Sequence, residues 1–132
     1  MKEIIMKVLG IGVDIVENSR FKKIIEKKSL LSRVFSDSEI IESKKKSNKA
    51  SFFAKRFAAK EAFSKSLGTG FRNNLNFKDI IVKNDKSGMP FFYISKKISS
   101  VIKKKFKTKN FNFILSISDE KIYSIAFVIF QK

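Results

Sequence analysis

Residues 50–70 read ASFFAKRFAAKEAFSKSLGTG, and this segment predicts one long helix that ends in a glycine-rich turn. On a helical wheel its apolar and small side chains cover most of the circumference, so the helix is expected to lie in the core. Glu61 is the one acidic residue in this segment, and lysines lie close to it in a helix that otherwise has side chains suited to the core. Gly68 can adopt the left-handed conformation that closes a helix, and Gly70 allows the backbone to lie close to a ligand.

Glu61 has two interpretations. The structural one is an ion pair with Lys65, four residues later, which stabilises an exposed helix by about 0.3–0.5 kcal/mol. Gly68 would then be only a helix cap. The functional one is a site for a ligand, because a carboxylate among cations is unusual on a helix otherwise suited to the core. The spacing alone favours the structural interpretation.

The composition limits the chemistry available to the chain. Its 132 residues are 43% apolar and include 15 Phe, which is enough for one domain with a hydrophobic core. The absence of cysteine and histidine excludes disulfides, thiolate metal sites, the usual zinc ligand and the usual general base near neutral pH. Any metal ion must be held by oxygen, which favours Mg²⁺ or a similar hard cation.

The apolar runs are short. The longest, residues 122–130, has the length of a strand, whereas a helix that crosses a bilayer needs roughly 18–20 apolar residues. The first residues alternate charged and apolar side chains and contain no signal-peptide core. We therefore expect a cytoplasmic protein.

The formal net charge of +17 predicts an anionic partner, which could be nucleic acid, an acidic protein or a phosphorylated small molecule. Only four of the 29 basic residues are arginines, the residue best suited to bidentate recognition of phosphates and bases. We therefore interpret the charge as a field that steers partners. The main alternative, a small basic RNA-binding protein, requires aromatic side chains displayed among cations, but the Phe residues fall mostly at core spacing.

Before the long helix, residues 8–16 are nearly all apolar and predict a central strand. Asp14 interrupts this run. It is either a buried carboxylate with a partner or metal ion, or a turn or cap residue at the strand's end. Asn18 or Ser19 is expected to cap a helix of about ten residues with a basic outer face.

The remaining segments predict an α+β domain. Ser36 and Glu39 fit a capping box at the start of a short helix. After the long helix the patterns predict strands at 77–83 and 89–94, a helix at 96–106 and a hairpin of strands at 112–118 and 121–130. Pro90 places the second of these strands at a sheet edge. The order β-α-α-α-β-β-α-β-β describes a single α+β domain over residues 1–132.

Four segments together resemble the holo-acyl-carrier-protein synthases, which are small-type 4′-phosphopantetheinyl transferases. The segments are 10–20 (GIGVDIVENSR), 57–70 (FAAKEAFSKSLGTG), 84–90 (NDKSGMP) and 115–118 (LSIS). The second is the specific one, and the four follow the family's order along nearly the whole chain. The resemblance implies an antiparallel-type sheet packed on a long central helix.

The resemblance also implies a reaction and its partners. The family moves the 4′-phosphopantetheine group of coenzyme A onto a serine of apo acyl carrier protein, with Mg²⁺, and releases adenosine 3′,5′-bisphosphate. Its members are homotrimers with each active site at a subunit interface. The net positive charge of this chain would then attract the acyl carrier protein, which is small, acidic and helical.

By resemblance, Asp14 and Glu61 match the metal carboxylates, and Lys65 is placed to contact the same phosphates. These three are the expected catalytic residues. In one scheme Glu61, directly or through a water, helps to take the serine proton, and the sequence leaves that role open.

The implied binding residues fall into three groups. The expected coenzyme A contacts are Arg56, Lys60, Ser64, Gly68, Thr69, Gly70 and Pro90. Candidates for the 3′-phosphate are Lys44, Lys46 and Lys49, and the expected carrier-docking residues are Arg20, Lys23, Lys27 and Lys28.

Asp119 departs from the family pattern, whose terminal motif usually continues Ser-x-Ser-His. The change puts in doubt any step that needs an imidazole near the pantetheine phosphate. Asp119 either binds metal-bound water or makes the turn, and we favour the turn.

Overall fold

A computed structural model describes residues 5–68 and 75–132 of the chain. The elements in order are β1 (Val8–Glu17), α1 (Arg20–Ile24), α2 (Lys28–Val34), α3 (Asp37–Ser43), α4 (Lys49–Ser66), a 3₁₀ turn (Phe77–Asp79), β2 (Ile81–Asn84), β3 (Pro90–Tyr93), α5 (Lys96–Phe106), β4 (Asn112–Asp119) and β5 (Tyr123–Gln131). This mixture of packed helices and antiparallel strands confirms the α+β class. The predicted ligand contacts Thr69 and Gly70 lie outside the described residues.

The long helix α4 is the core of the molecule, as its sequence predicts. It begins after Asn48, whose side chain accepts a hydrogen bond of 3.0 Å from the backbone N–H of Ser51. Most of its side chains are buried, including Phe52 and Phe63. Gly68 follows with φ = 72°, which confirms the left-handed closure expected of this glycine.

In the described residues α4 packs on a three-stranded antiparallel sheet with the order β1-β5-β4, while β2 and β3 form a separate hairpin. The prediction of a central strand at 8–16 was wrong, because β1 lies at the edge of its sheet. One face of β1 packs on α4. The other exposes Ile11, Val13 and Ile15 by 61%, 54% and 58%. The strand is therefore apolar on both faces although α4 covers only one of them.

Two glycines on β1 allow the helix to lie directly on the strand. A Cβ atom built on Gly12 would stand 1.9 Å from the backbone oxygen of Ala62, and one built on Gly10 would stand 1.9 Å from that of Ser66. No side chain fits in that space. The glycines thus bring the last turns of α4 next to the strand that carries Asp14.

We expect Gly12→Ala to destabilise the protein by about 1–3 kcal/mol, because the new methyl group must displace the α4 backbone. Urea unfolding followed by circular dichroism measures this change. Ser100→Ala, an exposed change of similar size on α5, serves as a control and is expected to stay within about 0.5 kcal/mol. Equal stabilities for Gly12→Ala and the native protein would show that this contact is not close-packed.

The segment after β1 forms two short helices, so the single helix predicted there was wrong. Lys27 leaves the helical region with φ = −104° and ψ = 88°. The cause is tertiary, since α1 packs on α4 whereas α2 packs on the 3₁₀ turn. The Asn18 side chain donates to the backbone oxygens of Glu120 and Lys121 instead of capping α1, and Ser19 stands at the cap position without a side-chain cap bond.

The other local predictions have mixed outcomes. The capping box is confirmed, since Ser36 Oγ accepts from the Glu39 N–H and Glu39 Oε1 accepts from the Ser36 N–H. The helix at 96–106 and the β4–β5 hairpin are also confirmed. The strand predicted at 77–83 is shorter, because residues 77–79 form the 3₁₀ turn. Within residues 5–68 and 75–132, no helix is long and apolar enough to cross a membrane.

Candidate active site

Asp14 lies inside β1 and is not at the end of the strand, which excludes its interpretation as a turn or cap residue. It shares the side of the strand with Gly12 and Val16, the side that faces α4. The Lys65 ammonium donates to Asp14 Oδ1 at 3.1 Å and to the backbone oxygen of Val13 at 3.0 Å. The Asp14 side chain is 16% exposed and that of Lys65 is 54% exposed, so the pair opens to solvent on the lysine side.

Glu61 lies one turn before Lys65 on α4 and is half-buried. Burial raises the pKa of Glu61 above its ordinary value, and the Asp14 carboxylate raises it further. Lys65 and Arg20 lower the pKa of Glu61. The two carboxylates, 47 residues apart in sequence, therefore lie close enough to repel each other where α4 meets β1.

An exposed cation, Arg20, lies next to Glu61 on the α1 side. The Arg20 guanidinium lies 5.7 Å from the centre of the Phe57 ring, one turn before Glu61. The other predicted docking residues, Lys23, Lys27 and Lys28, are exposed on α1 and at the start of α2. Of the predicted docking residues, Arg20 therefore lies close to Glu61.

Lys60, a predicted coenzyme A contact, lies in the core with its side chain 0% exposed. Its ammonium donates at 2.8 Å to Glu39 Oε1 and at 2.8 Å to the backbone oxygen of Phe77, and it also donates to that of Ile80. Glu39 Oε2 accepts from the backbone N–H of Val82 at 3.2 Å. This buried pair joins α3, α4 and the start of β2, so the geometry gives Lys60 a structural task.

Arg56 and Ser64 also face inward from α4. The Arg56 Nη2 donates to Asn84 Oδ1 at 2.6 Å and lies 3.5 Å from Glu42 Oε2. Ser64 is 2% exposed, and its Oγ has no hydrogen-bond partner among the described residues. Direct contact of either side chain with coenzyme A remains a prediction.

The remaining predicted site residues lie at the surface. Gly68 is exposed after α4, Pro90 is partly exposed at the start of β3, and the lysines of the 44–49 loop are exposed. Asp119 ends β4, with Oδ2 at 4.0 Å from Lys55 Nζ, and this does not decide between its two interpretations.

Sequence reasoning missed two side chains that organise this region. Glu39 was identified only as a helix cap, although it also pairs with Lys60, 21 residues away. Asn84 was considered only as part of the 84–90 segment, although its side chain accepts a hydrogen bond from Arg56, 28 residues away. Neither pairing has a local signal, because both depend on how distant segments pack.

The donor atoms at this site fit a hard divalent cation. In the described residues no group of three or more His, Cys, Asp or Glu side chains could hold a metal ion by itself. Mg²⁺, however, is commonly held by one or two carboxylates together with water and substrate phosphates. Glu61 is half-buried and is repelled by the Asp14 carboxylate. A divalent cation bound between the two carboxylates would offset this repulsion.

Comparison with known proteins gives concordant results. The profile of the family described as ACPS, 4′-phosphopantetheinyl transferase superfamily, matches residues 10–126. The holo-[acyl-carrier-protein] synthase of Pelagibacter ubique (strain HTCC1062) is 63% identical over 127 residues, covering 96% of this chain and 99% of that protein.

Solved structures of similar proteins share the fold. The holo-[acyl-carrier-protein] synthase from Neisseria meningitidis has a TM-score of 0.85 and 33% identity, covering 96% of this chain and 100% of that chain. The one from Bacillus anthracis str. Ames, in complex with CoA (3′,5′-ADP), has a TM-score of 0.77 and 34% identity, covering 95% and 97%. Because the family profile spans most of the chain and these proteins are similar over nearly their full lengths, this chain belongs to the holo-[acyl-carrier-protein] synthase family of the 4′-phosphopantetheinyl transferase superfamily.

Proposed function

We propose that this protein transfers the 4′-phosphopantetheine group of coenzyme A to a serine of apo acyl carrier protein and releases adenosine 3′,5′-bisphosphate. The observation that carries the assignment is the meeting of Asp14, Glu61 and Lys65 where α4 lies on β1. Phosphoryl transfer requires charge neutralisation and positioning more than covalent participation by the protein. Two carboxylates and a lysine on rigid elements provide such a site.

Asp14 and Glu61 would hold Mg²⁺, with the coenzyme A pyrophosphate and water completing an oxygen shell. The ion, when bound, offsets the negative charge that develops on the phosphates during transfer. Lys65 is half-exposed beside Asp14, so its ammonium can reach the same phosphates without leaving the last turn of α4. These three residues are the proposed catalytic set.

The transfer exchanges one phosphorus–oxygen bond for another. The serine Oγ of the carrier attacks the β-phosphorus of coenzyme A, and the bond from that phosphorus to the bridging oxygen breaks. The electron pair leaves with adenosine 3′,5′-bisphosphate, and the serine proton passes to Glu61, directly or through a water. Asp14, Glu61 and Lys65 orient the pyrophosphate for this attack.

The coenzyme A site is proposed to extend from the end of α4 to the β2–β3 hairpin. The proposed direct contacts are Ser64, Gly68, Thr69, Gly70 and Pro90, with Lys44, Lys46 and Lys49 as candidates for the 3′-phosphate. Exposure supports Gly68, Pro90 and the loop lysines most directly. For Arg56 and Lys60, burial favours an indirect contribution through the elements that they join.

The carrier protein is proposed to dock on Arg20, Lys23, Lys27 and Lys28. All four side chains are exposed, and Arg20 borders Glu61, which would bring the carrier serine to the reacting phosphate. An acidic partner would be attracted by this surface and by the net charge of +17.

We expect the double variant Arg20→Glu with Lys27→Glu to raise the KM for the carrier by about tenfold or more, because it replaces two attractive charges with repulsive ones. The KM for coenzyme A should stay within about twofold, since these side chains lie outside the proposed coenzyme A contacts. Steady-state kinetics with each substrate varied in turn measures both. Equal increases in the two KM values would contradict the docking role.

We further propose a homotrimer with each active site near a subunit interface, as the family resemblance implies. The face of the β1-β5-β4 sheet opposite α4 carries six apolar side chains that are 40–61% exposed: Ile11, Val13, Ile15, Ile114, Ile125 and Phe127. Exposed apolar faces of this kind on monomers mark interaction surfaces. A cavity of about 390 Å³ at one end of this face brings Asp119 together with Ile15 and Ile125.

Two broader expectations accompany the assignment. We propose that residues 1–132 act as one catalytic domain and that the enzyme works in the cytoplasm, where fatty acid biosynthesis would use the modified carrier. No nucleic acid or membrane is needed for this activity.

Mass spectrometry of the carrier tests the proposed function. Intact apo acyl carrier protein incubated with this protein, coenzyme A and Mg²⁺ should gain the mass of one phosphopantetheine, and EDTA should prevent the gain. A carrier mutated from serine to alanine at the acceptor position is the control. An unmodified carrier, together with an RNA mobility shift by the same preparation, would support the RNA-binding alternative instead.

A further inference from the structure

The turn that joins β2 to β3, residues 85–89, is held by many hydrogen bonds. Asp85 Oδ1 accepts from the Ser87 N–H at 2.9 Å, the Ser87 hydroxyl at 2.7 Å and the Met89 N–H at 2.9 Å. The Asp85 N–H donates to the Met89 backbone oxygen at 2.9 Å, and Gly88 adopts φ = 89°. These bonds, those from Ser87 first, lower the pKa of Asp85. The turn therefore has one defined shape.

Asn84 fixes this shaped turn to helix α4. Its Oδ1 accepts from Arg56 Nη2 at 2.6 Å, and its Nδ2 donates to the backbone oxygen of Gly88 at 2.8 Å. The amide group thus bonds the helix at one end and the turn at the other. We call this chain of two hydrogen bonds the Arg56–Asn84–Gly88 relay.

The relay includes Arg56, a cation that is buried in the protein. It is 4% exposed, and burial lowers its pKa, with Glu42 as the main opposing influence. The Glu42 carboxylate lies 3.5 Å away and is 34% exposed, and Arg56 Nε has no hydrogen-bond partner among the described residues. A buried cation is costly unless it is well paired. Among the described residues, the contact with Asn84 is the shortest hydrogen bond that Arg56 makes, and the Phe52 ring centre lies 4.2 Å from its guanidinium.

One end of the relay, Arg56, lies on α4, the helix that also carries the catalytic candidates Glu61 and Lys65. Arg56 precedes Glu61 by five residues, which is about 7.5 Å along the helix axis. At the other end of the relay, Met89 is 63% exposed and Pro90 begins β3. Asn84 therefore links this exposed edge directly to the helix that carries Glu61 and Lys65, in addition to the Lys60–Glu39 pair that holds the start of β2.

We infer that Asn84 is a positioning residue for the nucleotide half of coenzyme A, acting by fixing the 85–89 turn on α4. This inference rests on the proposed function, in which Glu61 and Lys65 handle the pyrophosphate and Pro90, which the family resemblance assigns to the adenosine side, contacts coenzyme A. A ligand that spans both places needs them at a fixed separation. If the 85–89 turn can shift relative to Glu61 and Lys65, the nucleotide half of coenzyme A binds more weakly. The proposed docking surface for the carrier protein is unchanged.

Two substitutions of Asn84 separate positioning from stability. Asn84→Asp keeps an oxygen acceptor for Arg56 and pairs the buried cation with a carboxylate, but it replaces the donor to Gly88 with a second oxygen. Asn84→Ala removes both bonds. Lys86→Ala is the control, because it lies on the same turn and lowers the net charge by one unit, as Asn84→Asp does.

The measurements are the Kd of adenosine 3′,5′-bisphosphate by calorimetry without carrier, the KM values of both substrates, kcat and the melting temperature. We expect Asn84→Asp to melt no lower than the native protein, yet to bind adenosine 3′,5′-bisphosphate about tenfold more weakly and to raise the KM for coenzyme A equally. Its kcat and carrier KM should stay within about twofold, and Lys86→Ala should match the native protein within about twofold.

Native affinity for adenosine 3′,5′-bisphosphate in Asn84→Asp would overturn the inference and leave the relay as a brace for the hairpin. A tenfold loss shared by Lys86→Ala would overturn it as well, because charge alone would explain the loss. Failure of the native protein to modify the carrier would instead reject the proposed function. That result is distinct, since calorimetry of the native protein and Asn84→Asp requires no transfer.

Discussion

Replacing Glu61 with glutamine is expected to lower kcat/KM for phosphopantetheine transfer by about a thousandfold or more. A bound metal ion contributes several kcal/mol to stabilising the charge that develops on the phosphates, and every 1.4 kcal/mol, approximately, is a factor of ten in rate. Glutamine keeps the size of the side chain but removes the charge that would hold Mg²⁺ opposite Asp14. The transfer assay at saturating Mg²⁺ measures the effect.

The same substitution should stabilise the metal-free protein. The pKa of Glu61 is raised in the folded state by burial and by Asp14, so the folded protein holds this proton at pH values where the unfolded chain has released it. Stability is therefore lost as the pH rises above the ordinary value of 4.5. Glutamine removes that loss, and the gain in melting temperature should be larger at pH 7 than at pH 4.

Glu26→Gln, an exposed change on the segment after α1, is the control for both effects and should alter neither by a measurable amount. Near-native transfer by Glu61→Gln would contradict the role of Glu61 in the reaction. A lower melting temperature at pH 7 in the metal-free variant would contradict the argument that charge repulsion with Asp14 is unfavourable.

The second large effect is expected at the buried pair of Lys60 and Glu39. Lys60→Met should destabilise the protein by about 3–5 kcal/mol, because it leaves the Glu39 carboxylate in the core without a countercharge. The carboxylate is 1% exposed, so water cannot take the place of the ammonium. Chemical unfolding measures the loss, and the variant should lose transfer activity only in proportion to its unfolded fraction.

A double-mutant cycle with Glu39→Gln isolates the pair. The two single losses should exceed the loss in the double variant by a coupling energy of about 2–3 kcal/mol. Lys97→Met provides a matched control, since Lys97 Nζ also lies 2.8 Å from a carboxylate, that of Asp79, but is 50% exposed. That substitution should cost less than about 1 kcal/mol. Additive losses at Lys60 and Glu39 would contradict a coupled pair.

The catalytic candidates were identified from the sequence through the family resemblance, because the spacing of Glu61 and Lys65 alone favours a structural ion pair. Asp14 interrupts an apolar strand, and Glu61 and Lys65 share one face of a helix that ends at Gly68. The structure brings these side chains together because Gly10 and Gly12 let α4 lie on β1. Glycines inside an apolar strand indicate a close approach of another backbone, but they do not identify which helix makes it.

Other features depend on distant segments and had no local signal. Lys60 has the same sequence pattern as a phosphate-binding lysine, and only the fold places Glu39 and two backbone oxygens around its ammonium. The sequence after β1 predicts one helix of about ten residues. The structure has two helices instead, divided at Lys27, because α1 packs on α4 whereas α2 packs on the 3₁₀ turn. The edge position of β1 was missed because its uncovered face is also apolar.

Titration of Mn²⁺ by electron paramagnetic resonance, in the presence of coenzyme A, tests most directly whether Asp14 and Glu61 share one divalent ion. We predict one bound Mn²⁺ per chain, displaced by Mg²⁺, with binding lost in Asp14→Asn and in Glu61→Gln and retained in Glu26→Gln. Undiminished Mn²⁺ binding by both Asp14→Asn and Glu61→Gln would contradict the shared site.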